Sequence, residues 1–197
     1  MFTGIVQGIG TLRRIIPTRS GWQIMIQLPK GVRSVPRGGS LAVNGICVSV
    51  VRKIGRQCTV DIMPQTRRRT TFSLWRVGDE VNLEPPLRSG GEIGGHIVTG
   101  HIDGVGKVVK LIRRNRETLM TVKVSSSLVR FIVARGSIAI DGISLTVTYV
   151  RGATFTVALI PATLTHTMIG ARQKGDAVNI EVDMIARYLD RLMTYGK

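Results

Sequence analysis

The strongest constraint on this chain of 197 residues is that its sequence runs twice through one pattern. Gly39-Ser-Leu-Ala-Val-Asn-Gly45 returns as Gly136-Ser-Ile-Ala-Ile-Asp-Gly142, and the next five residues, Ile46 to Val50, return as Ile143 to Val147 at the same offset. Gly78-Asp79-Glu80-Val81-Asn82-Leu83-Glu84 meets Gly175-Asp176-Ala177-Val178-Asn179-Ile180-Glu181, and Pro64, Thr66 and Thr70 meet Pro161, Thr163 and Thr167. At the front, Thr3-Gly4 and Gly8-Ile9-Gly10 match Thr99-Gly100 and Gly104-Val105-Gly106, at an offset one residue shorter. Ordered matches of this kind predict two homologous domains, 1–96 and 97–193, meeting near His96. Whatever fold one half adopts, the other must adopt too.

Each half reads as β-rich. Gln23 to Leu28 and Thr121 to Val124 alternate polar and apolar residues, as strands with one buried face do. Short apolar runs at Ser40–Val43, Val48–Val51, Thr154–Leu159 and Ala177–Val182 are bounded by Gly, Asp or Pro. Their spacing predicts a small antiparallel barrel per half, too narrow to hold a ligand inside, so that binding falls to an end or a seam. The two Gly-x-Gly runs lack the strand–helix setting of a dinucleotide fingerprint and read as turns. Ser125-Ser126-Ser127 before Leu128, Phe131 and Ile132, with Gly136 as stop, predicts a capped helix. From Asp183 to Tyr195, Met184, Ile185, Tyr188, Leu189 and Leu192 form an apolar stripe on a second helix, suited to docking on its own domain or to pairing with other subunits.

Composition narrows the classes. Hydrophobic residues at 43% and charged residues at 20% fit a folded protein that is not disordered, and no apolar run reaches the ~18–20 residues of a membrane span. The start lacks a basic stretch followed by a long apolar one, so no signal peptide is expected and a reducing cytoplasm is. Two cysteines, Cys47 and Cys58, cannot build a disulfide scaffold or a zinc site, and no metal-ligand spacing joins them to the histidines. A net charge of +16 brings nucleic acid into question, but the arginines are scattered and no basic-aromatic stacking motif interleaves the few aromatics. A general surface bias fits better, and neither nucleic acid nor membrane is expected as a partner.

Non-equivalent residues in a duplicated chain mark divided roles. His101 stands opposite Ile5, Ser144 opposite Cys47, Thr146 opposite Ser49 and Asp141 opposite Asn44. Each has a plain structural reading as well. A lone histidine between glycine and isoleucine is often just hydrogen-bonded, strand hydroxyls commonly are, and an isolated cysteine is more often a small apolar residue than a nucleophile.

Four runs carry a resemblance: Met1-Phe-Thr-Gly-Ile-Val6; Gly94 to Gly104, which contains His96 and His101; Ile140-Asp-Gly-Ile-Ser-Leu-Thr-Val147; and Asn179-Ile-Glu-Val-Asp183. Together, and over essentially the whole chain, they resemble the alpha-subunit type of riboflavin synthase, a family of lumazine-binding repeats. The resemblance implies an all-β fold of two six-stranded antiparallel Greek-key barrels with a C-terminal helix, from about residue 183, that gathers three chains. It implies dismutation of two molecules of 6,7-dimethyl-8-ribityllumazine, with no cofactor or metal, at an active site between barrels of neighbouring chains. Lumazine synthase is a further candidate partner.

Carried over residue by residue, the first half contributes Gly4, Ile5 and Val6, then Cys47, Val48 and Ser49, then Asp61, Ile62, Met63, Pro64, Gln65 and Thr66. The second contributes Gly100, His101 and Ile102, then Ser144, Leu145 and Thr146, then Ala158, Leu159, Ile160, Pro161, Ala162 and Thr163. Glycine lets backbone approach a flat heterocycle, and threonine hydroxyls suit a polyol chain. His101 is the expected proton shuttle, because its unperturbed pKa lies near neutrality. Ser144 and Thr146 are candidates to add to the substrate or to hold an adding water, and Cys47 and Ser40 are the polar groups of the first half. The second barrel is thus expected to handle most protons while the first positions its lumazine. Arg135 stands where the family has Lys, and Gln65 and Ala162 where it commonly has Glu. A non-catalytic lumazine or flavin carrier is the rival within the fold, and an Arg-rich nucleic-acid-binding barrel the rival outside it.

Overall fold

The computed structural model describes residues 1–33, 35–114 and 117–195, the side chain of Tyr195 excepted. Strands β1 (Gly8–Thr18), β2 (Gly21–Gln27), β3 (Ser40–Val43), β4 (Ile46–Ile54), β5 (Gln57–Ile62) and β6 (Glu80–Glu84) close into one barrel in the order β1-β2-β5-β4-β3-β6. Strands β7 (Gly104–Arg113), β8 (Thr118–Lys123), β9 (Ser137–Ile140), β10 (Ile143–Arg151), β11 (Thr154–Leu159) and β12 (Ala177–Val182) close a second in the same relative order. All pairings are antiparallel. Four bulges, between Leu12 and Arg14, Val50 and Arg52, Val108 and Lys110, and Val147 and Tyr149, occupy matching places in the two barrels. Bulges bend a sheet, and here they fall where each barrel must curve to close.

Alternation of burial fills each interior. Leu12, Ile24, Ile26, Val60 and Leu83 are wholly inside the first core, and Val108, Met120, Phe155, Val157 and Ile180 inside the second. The hairpins joining β3 to β4 and β9 to β10 turn on Asn44-Gly45 and Asp141-Gly142, each residue at positive φ, as a two-residue hairpin turn requires. The two turns lie back to back: a Cβ on Gly45 would sit 2.7 Å from the Gly142 nitrogen. Around them the barrels exchange bonds in matched pairs. Asn82 Nδ2 donates to the Asp141 carbonyl (3.0 Å), and Asn179 Nδ2 donates to the Asn44 carbonyl (2.9 Å).

Several local expectations change. The two Gly-x-Gly runs open β1 and β7 rather than forming turns. A Cβ on Gly10 would meet Leu83 Cδ1 at 2.5 Å and one on Gly106 would meet Val122 Cγ1 at 2.6 Å, so these glycines make room for core side chains inside strands. The helix expected from Ser125 to Gly136 is the single turn α2 (Ser126–Val129). Beyond it, Arg135 N donates to Val147 O and Val147 N to Gly136 O (2.8 and 2.9 Å), which commits the chain to the edge of β10. Two six-residue helices, α1 (Pro64–Arg69) and α3 (Pro161–His166), were not foreseen. Each opens on a proline, whose fixed φ and missing N–H suit a first turn.

The closing helix α4 (Met184–Tyr195) lies as its stripe predicts, with Asp183 Oδ1 capping the Ile185 amide at 3.0 Å. One side is tied to the second barrel through Arg187–Asp103 (3.1 Å) and Arg130–Asp190. Ile185, Tyr188, Leu189, Leu192 and Met193 are 54–77% exposed, so the apolar face stays uncovered within one chain. No helix among the described residues is long and apolar enough to cross a membrane.

Candidate active site

The expected site residues gather on the outer faces of β4 and β10. On β4, Ile46, Val48 and Val50 point into the core while Cys47 is half-buried and Ser49 exposed; β10 repeats this with Ile143, Leu145 and Val147 inside, Ser144 half-buried and Thr146 exposed. Val48, Leu145, Ile62 and Leu159 therefore offer a ligand only backbone, because their side chains are core.

Each outer face is covered by a segment that belongs, in sequence, to the other barrel. Ser144 N donates to the Gly4 carbonyl at 2.8 Å, and Cys47 N donates to the Gly100 carbonyl at 2.9 Å. Val6 packs against the second core and Ile102 against the first. Just upstream, Phe2 and Val98 pair antiparallel and share a small core with Ala42 and Ala139. The approach demands glycine: a Cβ on Gly4 would stand 2.6 Å from Ser144 Cβ, one on Gly100 2.5 Å from Cys47 Cβ, and both have φ near +80° or +75°.

This crossing corrects the expected grouping of the catalytic candidates. His101 follows Gly100 onto the first barrel. There a cavity of about 310 Å³ is lined by Cys47, Met63, Gln65, Thr66, Arg69 and Thr70 on one side and by Gly100, His101 and Ile102 on the other. That volume is at the small end of ligand sites. Within one chain His101 is apart from Ser144 and Thr146, because the repeat dictates each segment's own barrel fold but not the barrel it leans on. Arg69, Thr70 and Ile46 join the lining without having been singled out. Asp61, next to last in β5, lies in register with Gln23 and is exposed, and Ser40 is paired with Ser49 across β3 and β4. Gln65 and Thr66 lie on α1, whose Arg67 stacks over Trp22 at 4.7 Å.

The second outer face carries Ser144, Thr146 and the crossing Ile5 and Val6. The exposed ends Ala158 and Ile160 flank it, followed by Pro161, Ala162 and Thr163 on α3. Arg135, tied by its backbone to Val147 at the edge of β10, is exposed at φ 69°, an uncommon conformation for a side chain of its size. His96, which served only to mark the join between halves, turns out to be part of this face. Its amide donates to Thr3 O (3.2 Å), and its Nδ1 lies 2.7 Å from Ser144 Oγ. Its Nε2 is buried with no protein partner. Burial lowers the imidazole pKa, with Asp183 pulling weakly the other way, so the ring is neutral near pH 7. The sequence did hold a signal: Gly95-His96 precedes the crossing segment within the run that carries the resemblance.

A lumazine binding domain model matches residues 3–85 and 99–183. The chain belongs to the lumazine-binding domain family. Its two matched stretches each span one barrel and begin at the two crossing segments. Among curated relatives of the family, riboflavin synthase of Brucella abortus is 38% identical over the full length of both chains. That of Actinobacillus pleuropneumoniae is 36% identical over 98% of this chain and 90% of its own. Of solved structures, LumP complexed with riboflavin superposes with a TM-score of 0.85 at 30% identity, covering 93% of this chain and all of that one. LumP complexed with 6,7-dimethyl-8-(1'-D-ribityl) lumazine gives 0.83 at 29% identity over 93% and 99%.

Proposed function

We propose that the chain is a riboflavin synthase. It takes two molecules of 6,7-dimethyl-8-ribityllumazine, transfers a four-carbon unit from one to the other, and releases riboflavin and 5-amino-6-(D-ribitylamino)uracil. The observation that carries this reading over a carrier is the Ser144–His96 pair, a hydroxyl held 2.7 Å from a neutral imidazole on one lumazine face. A carrier has no use for a serine hydroxyl set against an imidazole on its binding face. The full-length relatives named riboflavin synthase support it.

The chemistry divides between the faces. One lumazine must lose a proton from its C7 methyl, and the other must gain a nucleophile at C7. On the first face His101, exposed at the cavity mouth, is the group able to carry a proton, and Thr66, Gln65 and the Gly100 backbone hold the ring and ribityl chain. On the second, His96 accepts the proton of Ser144 or of a water that Ser144 and Thr146 hold, and that oxygen adds to C7. No metal or nucleotide is required by either step. Facing two like molecules supplies orientation, which can be worth several kcal/mol.

The uncovered apolar face of α4 supports association between chains; in the proposed assembly three chains meet, and a first-barrel site of one opposes a second-barrel site of its neighbour. Incubation of the protein with the lumazine alone tests the reading. Riboflavin absorbance should grow, and a protein that binds lumazine yet returns it unchanged is a carrier.

A further inference from the structure

The two crossing segments are held by two buried carboxylates that no catalytic step uses. Glu84, at the end of β6, accepts from Thr3 N (2.7 Å), Thr3 Oγ1 (2.8 Å) and Gly4 N (3.0 Å). Glu181, on β12, accepts from Thr99 N (2.7 Å), Thr99 Oγ1 (2.6 Å) and Gly100 N (2.9 Å). They are 6% and 1% exposed. The chain of bonds runs one step further in each case. Thr3 Oγ1 accepts from Ile5 N and Thr99 Oγ1 accepts from His101 N, both at 3.3 Å. A carboxylate that accepts three bonds fixes two consecutive peptide units, and therefore the direction in which the next side chain leaves the backbone.

What each clip fixes lies on the opposite barrel. The Glu181 clip sets the Gly100 carbonyl against Cys47 N, and His101 over the first-barrel cavity. The Glu84 clip sets the Gly4 carbonyl against Ser144 N, and Thr3 O against His96 N. Neither carboxylate lines the cavity at Cys47 and His101. The hydrogen-bonding pattern is the same in both halves, so it is a device of the repeat and not an accident of one loop.

The geometry points to Glu84 and Glu181 as crossed positioning residues. The carboxylate of each barrel aligns the site on the other: Glu181 aims His101 at the lumazine on the first barrel, and Glu84 aligns Ser144, His96 and Ile5 at the lumazine on the second. This rests on the lumazine reading above for what the sites bind, but the alignment itself is a property of the chain without substrate. Burial pushes both carboxyl groups up from the ordinary range, and the threonine and glycine donors oppose the rise, so the ionised clip depends on the segment it holds.

The test uses the three histidines of the full-length protein, labelled and assigned by single His→Gln substitutions, as reporters in NMR spectra recorded without ligand. Glu181→Gln turns an acceptor into an NH2 group that faces the Gly100 or Thr99 amide. It should move the His101 signal and leave His96 and His166 in place. Glu84→Gln should move His96 and leave His101. Thr99→Val and Thr3→Val remove the relay hydroxyl, and with it one of the three bonds to each carboxylate, while leaving the carboxylate itself in place, and should give the same crossed pattern in weaker form. In turnover, each glutamine variant should lose about 10²-fold in kcat, the scale of a misplaced group near a reacting centre. A reversed pattern, movement of all three histidines together, or no movement in any variant overturns the assignment. Because the spectra need no substrate, a wild-type protein that makes no riboflavin would overturn the proposed function and leave the clips to be judged by the crossed pattern alone.

Discussion

The two outer faces that the crossing segments cover share a backbone plan and differ in chemistry. The first is walled by a thiol, an amide and a threonine, with one imidazole, His101, exposed at its mouth. The second sets a serine hydroxyl against a second imidazole that is half-buried and neutral. Behind them the barrels differ in the same sense. An aromatic chain, Trp22–Phe72–Trp75, with edge contacts at 5.9 and 5.5 Å, stiffens the first. The second places Arg172 at the repeat position of Trp75 and pairs it with wholly buried Asp141 at 2.6 Å, where the first has neutral Asn44. Duplication supplied two equal scaffolds, and exchange of a few side chains on equal strands gave the two faces different functional groups: a thiol and an exposed imidazole on one, a hydroxyl paired with a half-buried imidazole on the other.

The largest effect should come from parting the faces. Removal of the residues after Asp183 takes away the uncovered apolar face of α4. Light scattering should then report single chains of about 21.5 kDa or less, with nearly all turnover lost while each barrel still binds lumazine. A truncated protein that keeps the mass of the intact assembly would show that α4 is only surface packing.

Removing one functional group from each face sharpens the contrast. His101→Gln and Ser144→Ala should each lower kcat by about 10²-fold, the low end for a general acid–base group, with lumazine affinity little changed. Steady-state kinetics with separate binding titrations distinguishes the two terms. His96→Gln leaves Ser144 in place without the imidazole that takes its proton and should also cost about 10²-fold, the low end for a general base. Because burial lowers the His96 pKa, its neutral form persists as the pH falls, and the acid limb it causes in kcat should lie below pH 6.5. That limb should disappear in His96→Gln. Smallest of all, Cys47→Ser exchanges one small polar group for another on the first face, and activity should stay within about twofold. A Cys47→Ser enzyme more impaired than His101→Gln would show that the thiol, and not the imidazole, carries the chemistry of the first face.

Much of this was legible in the chain because repetition doubles every signal. The constant offset between Gly39 and Gly136 identified two like folds, and β3, β11 and β12 fall on the runs marked by apolar alternation and turn residues. The stripe from Met184 to Leu192 foretold α4. Periodicity failed where a residue's role depends on what lies across from it. Gly10 and Gly106 looked like turn residues, although a strand interior needed them to admit Leu83 and Val122. The helices α1 and α3 are too short for a 3.6-residue period to register, and only Pro64 and Pro161 announce them. The crossing of Gly4 and Gly100 between barrels leaves no mark in either repeat, so His101 was grouped with Ser144. His96 went unassigned because it lies at the join, outside the contrast between equivalent positions that singled out the others.

The central claim is that the two unlike faces act on each other across chains. Co-expression of His101→Gln with Ser144→Ala, followed by assay of the purified mixed assemblies, tests it most directly. If each active site pairs a first-barrel face with a second-barrel face of a neighbour, random mixing should leave about one site in four with both faces intact. Riboflavin formation should then rise well above that of either variant alone, toward a quarter of the wild-type rate. A mixture no more active than the average of its two components would contradict the account.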